Sequence, residues 1–119
     1  MNGYRDLIAR QKAVDLVAEI YRVTRRFPKD ELYGLVAQLR RAAVSIPSNL
    51  AEGYGRNSTK EFHHFIGNAR GSLLEVETQI EIAKSSGFLS LEASTTLLKK
   101  TDEVGRIMAG LRSWSAHVS

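Results

Sequence analysis

Apolar residues recur every three to four positions along almost the whole chain, and no stretch alternates with the two-residue period of a half-buried strand. The pattern predicts four amphipathic helices. The first runs from Tyr4 to Arg26, with an apolar line through Leu7, Val14, Val17, Ala18 and Tyr21, and Phe27 at its exit. Pro28 suits a first helical turn because its missing N–H has no helical partner there, and Asp30 and Glu31 complement the positive helix end. The second helix then continues to about Tyr54, with Leu32, Leu35, Val36, Leu39, Ala43, Ile46 and Leu50 facing the core. Gly53 and Gly55 are expected to end it through the left-handed turn that glycine adopts readily.

"STKE" at 58–61 has the form of a capping box, in which Ser58 accepts from the Glu61 amide. The third helix carries Phe62, Phe65, Ile66, Ala69, Leu73, Val76, Ile80 and Ala83 and stops at Gly87. Ser90 caps a fourth, whose line is Leu91, Thr95, Leu98, Val104, Gly105, Met108 and Leu111, with Trp114 near its end. Short connections make neighbouring helices antiparallel. The expected fold is all-α, a single up-down-up-down four-helix bundle over residues 1–119, with a second helix kinked at Pro47.

Composition narrows the class. With 43% hydrophobic and 25% charged residues, 119 residues suffice for one soluble domain. There is no cysteine, hence no disulfide or thiolate metal site, which fits a cytoplasmic location. No apolar run approaches the ~20 residues of a membrane span, and the N-terminal stretch is too charged for a signal peptide. The net charge of +4 is uneven: residues 1–60 hold 11 Lys/Arg and 6 Asp/Glu (+5), and residues 61–119 hold 6 and 7 (−1). A basic half points to a polyanion, RNA before DNA, against the plainer reading of a solubilising surface.

Opposite the core line of the second helix lie Gln38, Arg41, Ser45, Ser48 and Glu52, edged by Ala42 and Asn49. Small side chains there let another backbone approach, and Pro47 withdraws the N–H that would bond the Ala43 carbonyl. The expectation is a subunit contact or structural polar network involving Arg41, Ser45, Pro47, Ser48, Asn49, Glu52, Glu75 and Glu77, to which the family resemblance described below adds Arg70. Folding the second helix onto the third about Asn57 sets Arg41 near Leu73 and Arg40 near Leu74, within a turn of Glu75 and Glu77, so register-fixing ion pairs are expected.

Catalytic chemistry finds little support. A di-iron bundle needs two Glu-x-x-His pairs, and only Glu61–His64 qualifies. His63 and His64 point about 100° apart and cannot grip one ion together. Arginine, four to six residues, then histidine is the loose signature of HEPN-type ribonucleases; Arg56–His63 and Arg112–His117 fit it, as short patterns often do by chance. No phosphate loop, nucleophile elbow, metal site or cofactor motif occurs, so the chain reads as a non-enzyme without cofactors. The stronger constellation is basic: Arg22, Arg25, Arg26 and Lys29 at the first corner, with Arg40, Arg56 and Lys60 along the second helix and its far turn. The two corners lie at opposite bundle ends, roughly 35–40 Å apart at 1.5 Å per residue. Subunits in a ring would multiply each patch. Tyr33 and Tyr54 could stack on bases, although structural roles are favoured for both.

"LYGLVAQLRRAAVSIPSNLAEGYGR" and "STKEFHHFIGNARGSLLEVETQIEIAKSSGFL" resemble the bacterial four-helix bundle protein family, also called the 23S rRNA intervening-sequence protein family. The likeness spans about residues 20–112. The R-x-A-x-S-I-P-x-N-x-A-E-G core falls on Arg41, Ala43, Ser45, Ile46, Pro47, Asn49, Ala51, Glu52 and Gly53, and the helix-three motif on Arg70 and Glu75 to Gln79. The resemblance implies a left-handed bundle assembling as a homopentamer, with no established catalytic residues. Some members are encoded within insertions in 23S rRNA genes, and a distant relative, the accessory protein of diversity-generating retroelements, is a basic pentamer that binds nucleic acid and a reverse transcriptase. The expected function is therefore an oligomeric RNA-binding or ribonucleoprotein scaffold protein. The alternatives are a protein–protein adaptor with a basic surface and, behind it, a ribonuclease.

Overall fold

The computed structural model describes residues 3–118, with side chains through residue 115. Four long helices account for most of it: α1 (Gly3–Thr24), α2 (Ala37–Tyr54), α3 (Thr59–Ser85) and α4 (Leu91–Val118). Each helix packs on its two neighbours in chain order, and α4 closes back on α1. Contacts show every neighbouring pair to be antiparallel. On α1 and α2, Thr24 meets Arg40 while Arg10 meets Tyr54. On α2 and α3, Ser45 meets Ser72 and Gly53 meets Phe65. On α3 and α4, His63 meets Ser115 and Leu73 meets Gly105. Lys12 on α1 bonds Glu103 on α4 at 3.1 Å, while Val23 faces Ala93 across a hollow. The bundle measures 45 × 25 × 18 Å.

The turns follow sequence chemistry at two places and depart from it at two. Ser58 accepts from the Glu61 N–H at 3.1 Å, and Ser90 accepts from the Ala93 N–H at 3.0 Å, so both expected caps form. Gly87 has φ +81°, with the Phe88 N–H bonded to the Ala83 carbonyl and the Gly87 N–H to the Lys84 carbonyl, which is the Schellman closure. Phe88 then packs against Phe27, ring centroids 5.7 Å apart, and plugs one end of the core.

Gly53 and Gly55, by contrast, are not left-handed caps. Gly53 lies inside α2, buried against Phe62 and Phe65, and Gly55 keeps a right-handed φ of −79°. The start of the second helical segment is also irregular. A 3₁₀ turn at Lys29–Glu31 and a wider turn at Leu32–Val36 precede α2, and helical geometry breaks at Gly34 (φ −105°, ψ −110°). The Glu31 carboxylate, accepting from the Leu35 N–H at 3.4 Å, holds this turn. Helix α2 then continues through Pro47.

The core line matches expectation on α3 and nearly so on α2, where Leu32 proves half-exposed. On α1 it does not. The buried face is Asp6, Ala9, Ala13, Leu16, Ile20 and Thr24, while Leu7 and Val14 face solvent. On α4 the buried line passes through Ser94, Leu97, Thr101, Val104, Met108, Leu111 and Ser115, leaving Leu91 and Thr95 outside. These hydroxyls are buried because each bonds a carbonyl of its own helix: Ser94 to Ser90, Thr101 to Leu98, Ser115 to Arg112, and on α1 Thr24 to Ile20. A polar atom satisfied locally in this way adds little cost to a core position.

Candidate nucleic-acid interface

The α1–α2 corner gathers positive charge because α1 ends on three arginines and the next turn opens on a lysine. Arg22 is the least available of them. It pairs with Glu19 one turn back, and that hydrogen bond holds the Glu19 carboxyl below the ordinary range and the Arg22 guanidinium above its own. The two line an open hollow of about 390 Å³ beside Arg26, Phe88 and the first turn of α4. Arg25, Arg26 and Lys29 are exposed, and among the described residues no carboxylate is in ion-pair range of any of them. Tyr33 stands in the same corner segment at 92% exposure, so it has no structural role within the chain. Exposed cations and an exposed aromatic ring on one segment are the side-chain types that single-stranded nucleic acid engages by phosphate contact and stacking.

Arg40 belongs to the bundle rather than to an open patch. Its Nε donates to Thr24 Oγ1 at 2.9 Å, and its guanidinium lies 4.5 Å from the Tyr21 ring centroid, tying α2 to α1. At the opposite end Arg56 bonds Glu52 at 2.7 Å and covers the Phe65 ring at 4.8 Å, with Lys60 exposed nearby in the first turn of α3. Two basic ends separated along a 45 Å axis agree with the arrangement expected from the sequence, but the patch at the Arg56 end is partly neutralised by Glu52.

The α2–α3 side holds the remaining expected residues. Ser45 and Ser72 share a hydrogen bond at 2.7 Å across the two helices. The Asn49 side-chain amide donates to the Ser45 carbonyl at 2.9 Å and to its hydroxyl at 3.0 Å. Asn49 thus serves Ser45, not the Ala43 carbonyl that Pro47 leaves without its donor. Ser48 and Glu52 point outward, Pro47 is half-buried and Arg70 is exposed.

The expected ion pairs between α2 and α3 do not form. Among the described residues, the four ion pairs are Lys12–Glu103, Glu19–Arg22, Glu52–Arg56 and Asp102–Arg106. Arg41 and Glu75 instead line a common open hollow of about 400 Å³, and Glu77 is half-buried. The register differs by about one turn from the expected one: Ser45 lies opposite Ser72 and Gly53 opposite Phe65, which centres the reversal past Asn57 rather than on it.

His63 is tied to α4 through Ser115 Oγ at 2.7 Å, and His64 packs edge-on to Phe65. His117 lies outside the described side chains. Among the described residues no group of three or more His, Asp and Glu is placed to hold a metal, and no helix is long and apolar enough to cross a membrane.

Comparison with known proteins agrees with this architecture. A crystal structure from Bacteroides thetaiotaomicron, described as a protein with unknown function from the S23 ribosomal protein family, superposes with a TM-score of 0.85. It is 15% identical, and the match covers 92% of this chain and 98% of that one. No curated protein matches the sequence. Residues 5–110 match the family described as 23S rRNA-intervening sequence protein, a span that takes in all four helices, and the chain belongs to that family.

Proposed function

We propose that the protein is a non-enzymatic, homo-oligomeric RNA-binding scaffold, with five subunits the number its family resemblance implies. The observation that carries this reading is the α1–α2 corner, where Arg25, Arg26 and Lys29 are exposed and, among the described residues, without ion-pair partners, and where the same segment carries a Tyr33 ring 92% open to solvent. A tyrosine so exposed buries little of its ring within the chain, and three cations without carboxylate partners among the described residues are available to phosphate. One corner makes few contacts. Repeated around an oligomer, the same corner makes many, and affinity for a polyanion rises steeply with their number. The family is described as 23S rRNA-intervening sequence protein, and that description makes structured ribosomal RNA the first ligand to try.

The test is fluorescence anisotropy with a structured rRNA fragment and a scrambled RNA of equal length, each titrated with salt. The reading expects binding that weakens steeply with salt. An Arg25→Ala/Arg26→Ala/Lys29→Ala variant should lose about 2–3 units from the slope of log affinity against log salt per bound corner. Tyr33→Ala should weaken single-stranded targets without changing that slope. Absence of binding to either RNA at low salt overturns the proposal and directs the search to a protein partner.

A further inference from the structure

Polar residues face one another in pairs across the outer side of the α2–α3 seam, and only the first pair is closed. Ser45 and Ser72 share their hydrogen bond at 2.7 Å. From that point the antiparallel course sets Arg41 level with Glu75 one turn on, and Gln38 level with Gln79 a further turn on. Among the described residues neither of these pairs is joined by a hydrogen bond or an ion pair. Gln79 Oε1 is buried, and among the described residues it has no hydrogen-bond partner. Between the walls lies the open hollow of about 400 Å³. It runs on into a second hollow of about 350 Å³, which shares Gln38, Glu75 and Gln79 and adds Gly71, Leu74 and Ile82. Leu74 is 47% and Ile82 48% exposed, so the slot has an apolar shelf beside its polar walls.

From this slot we infer a binding site for a guanine base. A guanidinium on one wall and a carboxylate on the other disfavour a charged occupant of either sign. They fit a neutral, planar group with paired acceptors on one edge and paired donors on the next. Guanine has both: O6 and N7 accept from the Arg41 fork, and N1–H and N2–H donate to the Glu75 carboxylate. Gln79 Oε1 is a spare acceptor for the second N2 hydrogen. Adenine has no acceptor next to N7 for the fork, and cytosine and uracil offer a carboxylate one donor atom rather than two. The apolar shelf of Leu74 and Ile82 suits the face of the ring, and Gly71 keeps it free of a further side chain. An exposed arginine and glutamate gain little by pairing directly, so a ligand that enters between them displaces little. The site goes beyond the RNA reading above and uses none of the corner cations. An unpaired guanine in RNA and a free guanine nucleotide present the same chemistry to it.

The test is calorimetric titration of the full chain with GMP, IMP and AMP, whose phosphates are identical, and with short unpaired RNAs carrying a central guanine, hypoxanthine or adenine. Glu75→Gln and Arg41→Ala are compared with wild type, both at exposed positions and both checked for folding by circular dichroism. The guanine form is expected to bind at least about tenfold more tightly than the hypoxanthine form, which lacks the N2 donor, and than the adenine form. Glu75→Gln should erase the difference between guanine and hypoxanthine. Arg41→Ala should weaken both equally, by about tenfold, because both carry O6 and N7. A guanine preference seen with the mononucleotides assigns the slot to a free nucleotide, and one seen with the RNAs alone assigns it to RNA. Absence of binding, equal affinity for the three bases in both formats, or a guanine preference that survives Glu75→Gln overturns the inference. None of these results decides the corner reading, which is tested at Arg25, Arg26 and Lys29.

Discussion

Gly53→Ala separates a glycine required by packing from one that is merely present in a helix. Gly53 sits in the last turns of α2, and a Cβ built on it falls 2.9 Å from Phe65 Cβ and 3.5 Å from the Phe62 ring and carbonyl. The obstructing atom at 2.9 Å is itself a Cβ, fixed to the α3 backbone, so no rotamer change relieves the clash. The helices would have to part by about 0.5 Å to reach ordinary contact, and overpacking of this kind costs about 1–3 kcal/mol. Against that, alanine gains about 1 kcal/mol over glycine within a helix. The net expectation is a loss of about 1 kcal/mol, or a fall of about 4 °C in Tm for a chain of this length. Gly71→Ala is the internal control, because its Cβ meets open space and only the helical gain of about 1 kcal/mol remains. Both are measured by urea denaturation at one protein concentration. If Gly53→Ala were as stable as Gly71→Ala, the close α2–α3 crossing would not be what fixes glycine at position 53.

Asp6 is 4% exposed, and among the described residues neither carboxylate oxygen has a hydrogen-bond partner. Burial raises its pKa above the ordinary 3.8 despite the opposing pull of nearby positive charge, including Arg10. A raised native pKa means that the charged form is disfavoured by folding. Asp6→Asn should therefore stabilise the protein at neutral pH, by on the order of 1–2 kcal/mol. Thermal melts across pH should show this advantage complete above the native pKa and gone below 3.8, where both states are protonated. Ser58→Ala removes the acceptor for the Glu61 N–H and should cost about 1 kcal/mol, read by denaturation together with faster amide exchange confined to the first turn of α3.

Helix number, order and antiparallel course were legible because four segments carry the helical period and the connections between them are short. The caps at Ser58 and Ser90 and the stop at Gly87 were legible because hydrogen-bonding and left-handed geometry restrict those places to few residue types. The buried lines of α1 and α4 were not. On α4 the core face includes Ser94, Thr101 and Ser115, polar by type but satisfied by their own helix, so a count of apolar residues rotates the face away from its true position. Gly53 misled for a related reason: a glycine near a helix end signals a left-handed cap unless a neighbouring helix presses on it, and Phe65 does so only once α3 is in place. Of the candidate interface, the corner cations were visible as a cluster. Their division into free and paired members was not, because Glu19 and Thr24 choose Arg22 and Arg40 through geometry rather than through spacing alone.

The misplaced face of α1 bears on the surface more than on the fold. That helix carries two stripes, one of Leu7, Val14, Ala18 and Tyr21 and one of Ala9, Ala13, Leu16 and Ile20, the second also holding Asp6. The two are comparably apolar, so residue type alone does not choose between them. The bundle buries the second, whose alanines let α1 approach its neighbours closely while Leu16 and Ile20 fill the centre. The consequence on the page is one of surface: Leu7 and Val14 stay on the solvent side of α1, while Leu74 and Ile82 do so on α3, so the outside of the bundle is more apolar than the fold itself needs.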